Sequence, residues 1–283
     1  MEIKFSNVGY IYNKGAGFSN SVLDGINFNL KEGKIYSIIG KNGSGKTTIL
    51  ELMDGLMMPT SGEITVDNFE FENKSKIKNI NDLRVKIGFV FQLPEQQFFG
   101  NTVRDEIKFS LDCFKYNPSQ IDKRISDSLL MVGLDDSYLD RDPLTLSHGE
   151  MRSVAIASIL AFNPKIIIFD EPTIGLDASN KKNLIRLIKM LKTRYHKTII
   201  IVSHDTDMLL KISDEVLLLE NGKIVLQGDK YEVFSNEKML KRNNIKVPDI
   251  IRFSNIVKNK KNIKMGYRDE INDLIKDIYR YVK

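Results

Sequence analysis

Residues 40–47 read "GKNGSGKT", and this stretch decides the fold. It matches G-x-x-x-x-G-K-T, follows the short apolar run "EGKIYSIIG" (32–40), and opens a helical pattern from about Lys46 to Leu56. A buried strand, a glycine-rich turn and a helix form the setting a phosphate-binding loop needs. Backbone N–H groups must close around phosphate oxygens, and side chains at Gly40, Gly43 and Gly45 would stand in the way. Asn42, Ser44 and Thr48 belong to the same cradle. Lys46 can reach the terminal phosphates, and the Thr47 hydroxyl can ligate Mg²⁺.

Working outward, the aliphatic run "IIIF" ends in Asp170-Glu171. A carboxylate at a strand end beside the loop can hold Mg²⁺, and the next one can take a proton from attacking water. Alone, the pair would read equally well as an acidic cap before "PT". With the loop present, the two motifs indicate a P-loop nucleotide hydrolase.

The rest of the pattern is strand and helix in alternation. "PKIIIFDEPT" and "KTIIIVSHD" are short aliphatic runs separated by the helical "NKKNLIRLIKMLKTRY", the repeating unit of a parallel sheet. "DEVLLLENGKIVLQG" predicts a hairpin through Asn221-Gly222. Near the N-terminus, "EIKFSNVG" (2–9) reads as an edge strand. Residues 21–31 read as a hairpin-like strand, and "EITVDNFEF" as one more. From Leu93 to about Ala161 apolar positions recur at helical spacing. After "VPDI" helical periodicity returns, interrupted by "KNKKNIKMG".

Composition narrows the class. The 283 residues hold one cysteine, Cys113, so an internal disulfide is excluded. No stretch approaches the ~20 apolar residues of a membrane helix, so any membrane role is peripheral. The net charge is +5, and residues 241–283 hold 12 Lys and Arg against 5 Asp and Glu. The basic excess therefore lies in the tail. Aromatic residues are not interleaved with it, which reads as a solvated helical surface rather than a nucleic-acid site.

The order phosphate loop, Gln92, "LSHGE" (146–150), Asp170-Glu171, "GLD" (175–177), His204 resembles an ABC-transporter nucleotide-binding domain over about residues 1–235. The resemblance implies an α/β P-loop fold with a mixed sheet core and an antiparallel β subdomain. A helical subdomain (about 93–161) would carry the signature motif, within a nucleotide-binding domain of residues 1–240. Residues 241–283 would form a basic C-terminal helical extension or an unstructured tail. ATP and Mg²⁺ are the implied cofactors.

Residue by residue, Tyr12 looks like the aromatic that stacks on adenine. The competing reading is a core tyrosine at a strand edge, and Tyr10 lies close by. Gln92 resembles the glutamine that contacts Mg²⁺ and attacking water. Glu171 looks like the base, and Asp170 and Thr47 look like metal ligands. Asp177 looks like the acidic residue that couples two sites across a dimer, and His204 like the histidine at the γ-phosphate. "LSHGE" resembles the signature LSGGQ, which contacts ATP bound to the opposite subunit. Ser147 and Gly149 are retained, while His148 replaces a glycine and Glu150 a glutamine. His148 crowds the backbone and Glu150 adds negative charge, so this chain is expected to supply a weakened signature.

"FQLPEQQFFGNTVRDEIKFS" and "MVGLDDSYLDRDPLTLS" resemble energy-coupling factor (ECF) transporter ATPases of the CbiO/EcfA type. The insertion "NKGAGFSNSVL" fits the second of the two ATPase types that pair in such complexes. This resemblance implies ATP hydrolysis at the cytoplasmic face of the membrane, driving uptake of a vitamin or transition-metal ion. The implied partners are a second ABC ATPase, an integral membrane scaffold (T component) and a substrate-binding membrane subunit (S component). A heterodimer is favoured over a homodimer, and no nucleic acid is expected. Phe98 and Phe99 either face the membrane subunit or belong to the core of the helical insert. The rival functions are a soluble ABC ATPase acting on nucleic acid or ribosomes and the motor of another ABC transporter.

Overall fold

The computed structural model describes residues 2–13, 19–73, 79–261 and 265–282. Much of the "NKGAGFSNSVL" insertion, at 14–18, lies outside the described residues. β1 (Glu2–Tyr12), β2 (Asn20–Lys31), β3 (Ile35–Gly40) and α1 (Lys46–Met53) open the chain. Next come β4 (Ser61–Val66), β5 (Phe69–Glu72), α2 (Ile80–Lys86) and β6 (Ile87–Val90). Three helices follow, α3 (Val103–Cys113), α4 (Pro118–Met131) and α5 (His148–Ala161), the last leading to β7 (Ile166–Asp170). Then come α6 (Ala178–Thr193), β8 (Thr198–Val202), α7 (Thr206–Ile212), β9 (Glu215–Glu220) and β10 (Lys223–Asp229). Four helices end the chain: α8 (Lys230–Ser235), α9 (Glu237–Arg242), α10 (Asp249–Lys261) and α11 (Ile271–Val282).

Two sheets organise these elements. The larger has the strand order β10-β9-β3-β8-β7-β6, and its β9, β3, β8, β7 and β6 run parallel. Continuous aliphatic runs such as "IIIF" are what a sheet covered on both faces requires. Ile166 and Ile168 of β7 face one layer with α1 and the antiparallel sheet, while Ile167 and Phe169 face α6 and α7. The smaller, antiparallel sheet has the order β2-β1-β4-β5. A third core joins α3, α4 and α5 through Ile107, Leu111, Ile125, Leu129, Val154 and Ala157.

Several expectations change in detail. β1 is not an edge strand. It pairs with both β2 and β4, and its alternating buried Ile3, Phe5 and Val8 fit that interior place. "EITVDNFEF" is not one strand but the hairpin β4–β5, turned at Asp67, which adopts φ 55°. α1 ends at Met53, earlier than Leu56, because Gly55 takes φ 68°. The tail forms α10 and α11, and many of its cations are paired, Arg242 with Glu220, Lys246 with Asp207 and Arg268 with Asp277. Phe98 packs against the helical core, whereas Phe99 is 77% exposed, with its ring centroid 5.9 Å from that of Phe109.

Candidate functional site

The phosphate loop joins β3 to α1. Gly43 and Gly45 take φ 75° and 105°, a region that L side chains rarely enter. A Cβ at Gly45 would also come within 2.6 Å of Leu23. At Gly40 a Cβ would run into the Leu219 carbonyl and the Ser44 hydroxyl, so β9 seats the loop closely. Lys46 is buried, and its ammonium donates to the carbonyls of Gly40 (2.9 Å) and Lys41 (3.0 Å). Burial holds its pKa below the usual lysine range, against the pull of Glu171 and Asp170.

Asp170 ends β7, and its Oδ2 accepts a hydrogen bond from the Thr47 hydroxyl at 3.0 Å. Burial raises the Asp170 carboxyl, while that hydrogen bond and Lys46 oppose the rise. Glu171 adopts φ 49°, a strained left-handed turn for a residue with a Cβ. Its amide donates to the Val202 carbonyl at 2.8 Å, which ties it to the end of β8. The His204 amide donates to Glu171 Oε2 at 3.2 Å, and His204 Nε2 lies 3.3 Å from Oε1. Burial pushes the Glu171 carboxyl up, and the contacts with His204 only partly counter it. Glu171 Oε1 and Ser44 Oγ are buried without a hydrogen-bond partner. Buried unsatisfied oxygens are costly, and of the two residues Glu171 lines a cleft of about 570 Å³.

That cleft brings together Tyr12, Asn42, Gly43, Gly45, Lys46, Thr47, Thr48, Gln92, Asp170, Glu171 and His204. The Tyr12 hydroxyl lies 3.2 Å from Thr48 Oγ1. Tyr10 meets the Tyr12 ring edge-on and packs on the first hydrophobic core instead.

Ser147, His148, Gly149, Glu150 and Asp177 are not among the residues lining this cleft. Ser147 caps α5, and the Glu150 side chain turns back onto it in a capping box. Glu150 Oε2 accepts from the Ser147 amide (2.9 Å) and hydroxyl (2.6 Å), and Oε1 accepts from the Tyr138 hydroxyl (2.7 Å). The hydrogen bonds from Ser147 and Tyr138 hold the Glu150 carboxyl down at about 2. His148 is exposed at the first position of the helix. A Cβ at Gly149 would come within 2.5 Å of Asn180 Nδ2, so α5 packs closely on α6 there. Asp177 caps α6 by accepting from the Asn180 amide at 2.8 Å.

Sequence reasoning missed Arg152. It is 4% exposed and forms a two-pronged ion pair with Glu95, from Nε at 2.8 Å and Nη2 at 3.0 Å. Nη1 donates to the Pro172 carbonyl at 2.9 Å and Nη2 to that of Ile174 at 3.3 Å. The signal available was one arginine two positions ahead of the apolar run "VAIASILA" (154–161). Tyr138 left no such signal, because its partner lies 12 residues away.

The ABC transporter family model matches residues 23–174. The chain is 39% identical to the energy-coupling factor transporter ATP-binding protein EcfA2 of Staphylococcus aureus over 252 residues, 89% of this chain and 88% of that one. Its fold matches cbiO1 of Clostridium perfringens, part of the ABC transporter complex cbiONQ, with TM-score 0.74 and 33% identity over 89% of this chain and 98% of the other. It also matches the ATP-binding cassette MJ0796, a dimeric post-hydrolysis state bound to ADP and Pi. There the TM-score is 0.71 at 32% identity, over 81% of this chain and 98% of that one. Among the described residues no helix is long and apolar enough to cross a membrane. With the phosphate loop, the Asp170-Glu171 strand end and these relatives in agreement, the chain belongs to the ABC transporter family, as an energy-coupling factor ATP-binding protein.

Proposed function

We propose that this chain is the ATP-hydrolysing motor of an ECF-type importer, bound peripherally at the cytoplasmic face of the membrane. The observation that carries this reading is the convergence of Lys46, Thr47, Asp170, Glu171 and His204 on one cleft, from a loop and two adjacent strand ends. Tyr12, one of the residues lining the cleft, stacks on adenine. Lys46 turns from the Gly40 and Lys41 carbonyls to the terminal phosphate. Glu171 takes a proton from the attacking water, and its burial raises its affinity for that proton. His204 positions the water and the γ-phosphate.

The donor set fits a hard divalent cation: the Thr47 hydroxyl, the Asp170 carboxylate and the Gln92 side-chain oxygen. The Thr47–Asp170 hydrogen bond supports that fit, because it already holds two of the three donors together. Mg²⁺ bound there would neutralise charge on the phosphate oxygens.

Two ATPases close over two nucleotides, each signature serving the opposite site. The absence of residues 147–150 from the lining of this chain's own cleft agrees with that use. A heterodimer best accommodates "LSHGE", because a partner with an intact signature would complete this chain's own site. The remaining partners are the T component and an S component that carries a vitamin or a transition-metal ion. EcfA2 and the cbiONQ complex named among the relatives support these assignments.

The test is to tag the chain, solubilise its native membranes gently and identify what co-purifies. A second ATPase with a multi-spanning scaffold is expected. Recovery of only soluble proteins or nucleic acid would replace this reading with the soluble-ATPase one.

A further inference from the structure

Arg152 lies on α5, one turn after the capping box that starts that helix. Its guanidinium reaches two other segments at once. One is Glu95, three residues beyond Gln92, held by two parallel hydrogen bonds of 2.8 and 3.0 Å. The other is the turn after Glu171, gripped through the carbonyls of Pro172 and Ile174. Both side chains of the ion pair are nearly closed to solvent, at 4% and 10% exposure. A buried arginine needs its hydrogen bonds satisfied, and its planar fork accepts only a narrow range of geometries. Neither neighbouring segment can therefore shift against α5 without breaking this set of bonds.

The three segments belong to different parts of the reaction. The start of α5 is the signature element, Gln92 enters the cleft, and the Glu171 turn carries the candidate base. We propose that Arg152 is a positioning residue that fastens the signature helix, the Gln92 segment and the Glu171 turn into one body. Engagement of the signature by the partner's nucleotide thereby sets the placement of this chain's own Glu171. The inference rests on the reading of the chain as half of a two-site ATPase. It differs from a packing role because Arg152 lies outside the nucleotide cleft yet holds two of its walls.

The test uses the complex purified with its membrane partners, in the wild-type form and with Arg152→Lys, Glu95→Gln and both together. Lysine keeps the charge but loses the two-pronged geometry, so it is less apt to unfold the protein than alanine. Turnover per folded complex is measured against ATP concentration, with nucleotide affinity of the separate chain and melting temperature as companions. Each single variant is expected to lower kcat about tenfold, the scale of a small misplacement of a catalytic group. A sigmoidal ATP dependence in the wild type should become hyperbolic. Nucleotide affinity of the separate chain should stay within about twofold, because neither substituted residue lines the cleft. The double variant should be no slower than either single one, since the two side chains act as a unit.

Unchanged turnover and an unchanged ATP curve would overturn the proposal. So would loss of nucleotide affinity in step with turnover, which would place the damage in the fold of the cleft. If the wild-type complex itself hydrolyses no ATP, the motor reading falls and this inference falls with it, an outcome distinct from a variant that behaves as wild type.

Discussion

The phosphate loop and the signature segment each present the start of a helix, and they are finished in opposite ways. At α1 the cap residue is Gly45, which offers no side chain to the amides, and the acidic groups sit across the cleft on other strands. The helix N-terminus is left open toward whatever enters. At α5 the cap is Ser147, and Glu150 folds back to bind it, so an internal carboxylate occupies the end of the helix dipole. The first arrangement spends stability, with buried Lys46, Asp170 and Glu171 all displaced from their ordinary titration ranges by burial. The second gains local stability and meets an external anion with a charge of the same sign. A site built to do chemistry is strained, while a segment satisfied by its own side chains is comfortable and correspondingly less receptive.

The sharpest way to break this contrast is Glu171→Gln. If the strained half carries the chemistry, kcat falls by about 100-fold or more, the usual worth of a positioned general base. ATP binding stays intact, because the amide occupies the same volume. Single-turnover hydrolysis and equilibrium binding check both halves of the statement. Near-normal turnover would move the base elsewhere.

Titration offers a second test, because the two halves contain carboxylates shifted in opposite directions. Asp54, buried at the C-terminal end of α1, is pushed up to about 7 by burial, with Arg84 pulling weakly the other way. A raised folded pKa means the native state holds a proton that the unfolded chain releases, so its contribution declines as pH rises from about 4 to 7. Between pH 4 and pH 8 the stability difference between Asp54→Asn and the wild type should shift in the variant's favour by on the order of 2–4 kcal/mol. Glu150, held at about 2 by its hydrogen bonds, has the reverse sign. Its contribution is present above about pH 4.5 and fades as pH falls toward 2. Glu150 is exposed enough for solvent to screen most of it. Melting curves across pH read both, and a flat Asp54→Asn difference would show that its carboxyl is not displaced.

Tyr12→Ala gives a smaller effect on the same cleft. Base–aromatic stacking is worth about 1–3 kcal/mol, so KM for ATP should rise about tenfold with kcat little changed. Tyr10→Phe should do nothing to KM, because the Tyr10 ring belongs to the core under Tyr12. Equal effects from the two would mean that the pair acts only by packing.

How much of this was legible in the sequence follows from where each piece of information resides. The phosphate loop is eight contiguous residues whose glycines are dictated by local backbone, so quoting them is nearly enough to place them. Asp170-Glu171 and His204 follow aliphatic runs that identify themselves as buried strands, and the parallel sheet then brings their ends together. β1 reads as an edge because its second neighbour, β4, lies 50 or more residues on and leaves no mark on the local pattern. The hairpin β4–β5 was hidden by Asp67-Asn68, a turn that is polar but lacks a glycine. Glu150 reads as an added charge facing a phosphate. The structure shows its carboxylate turned inward, because the capping box and the Tyr138 hydroxyl compete for it. Arg152 was invisible for a related reason: its partners at Glu95, Pro172 and Ile174 come from two distant segments.

The smallest expected effect probes the comparison most directly. His148 is the first residue of α5 and is exposed, at the helix start an anion would approach. His148→Gly removes the side chain there while leaving Ser147, Glu150 and Tyr138 in place. Glycine inside a helix costs up to about 1 kcal/mol relative to alanine, and less at the first position, so melting temperature should drop slightly or not at all. Turnover of the assembled complex should nonetheless rise about twofold, with a further rise when Glu150→Gln removes the like charge as well, worth about 1 kcal/mol at contact distance in water. The opposite signs matter more than the sizes. A change that loosens the helix yet speeds the reaction cannot act through general stability, and it must act through access to the helix start. If His148→Gly and the double variant slow the complex, or leave it as it was, the signature of this chain is not the weaker half. The histidine would then have to be read as a contact that favours closure.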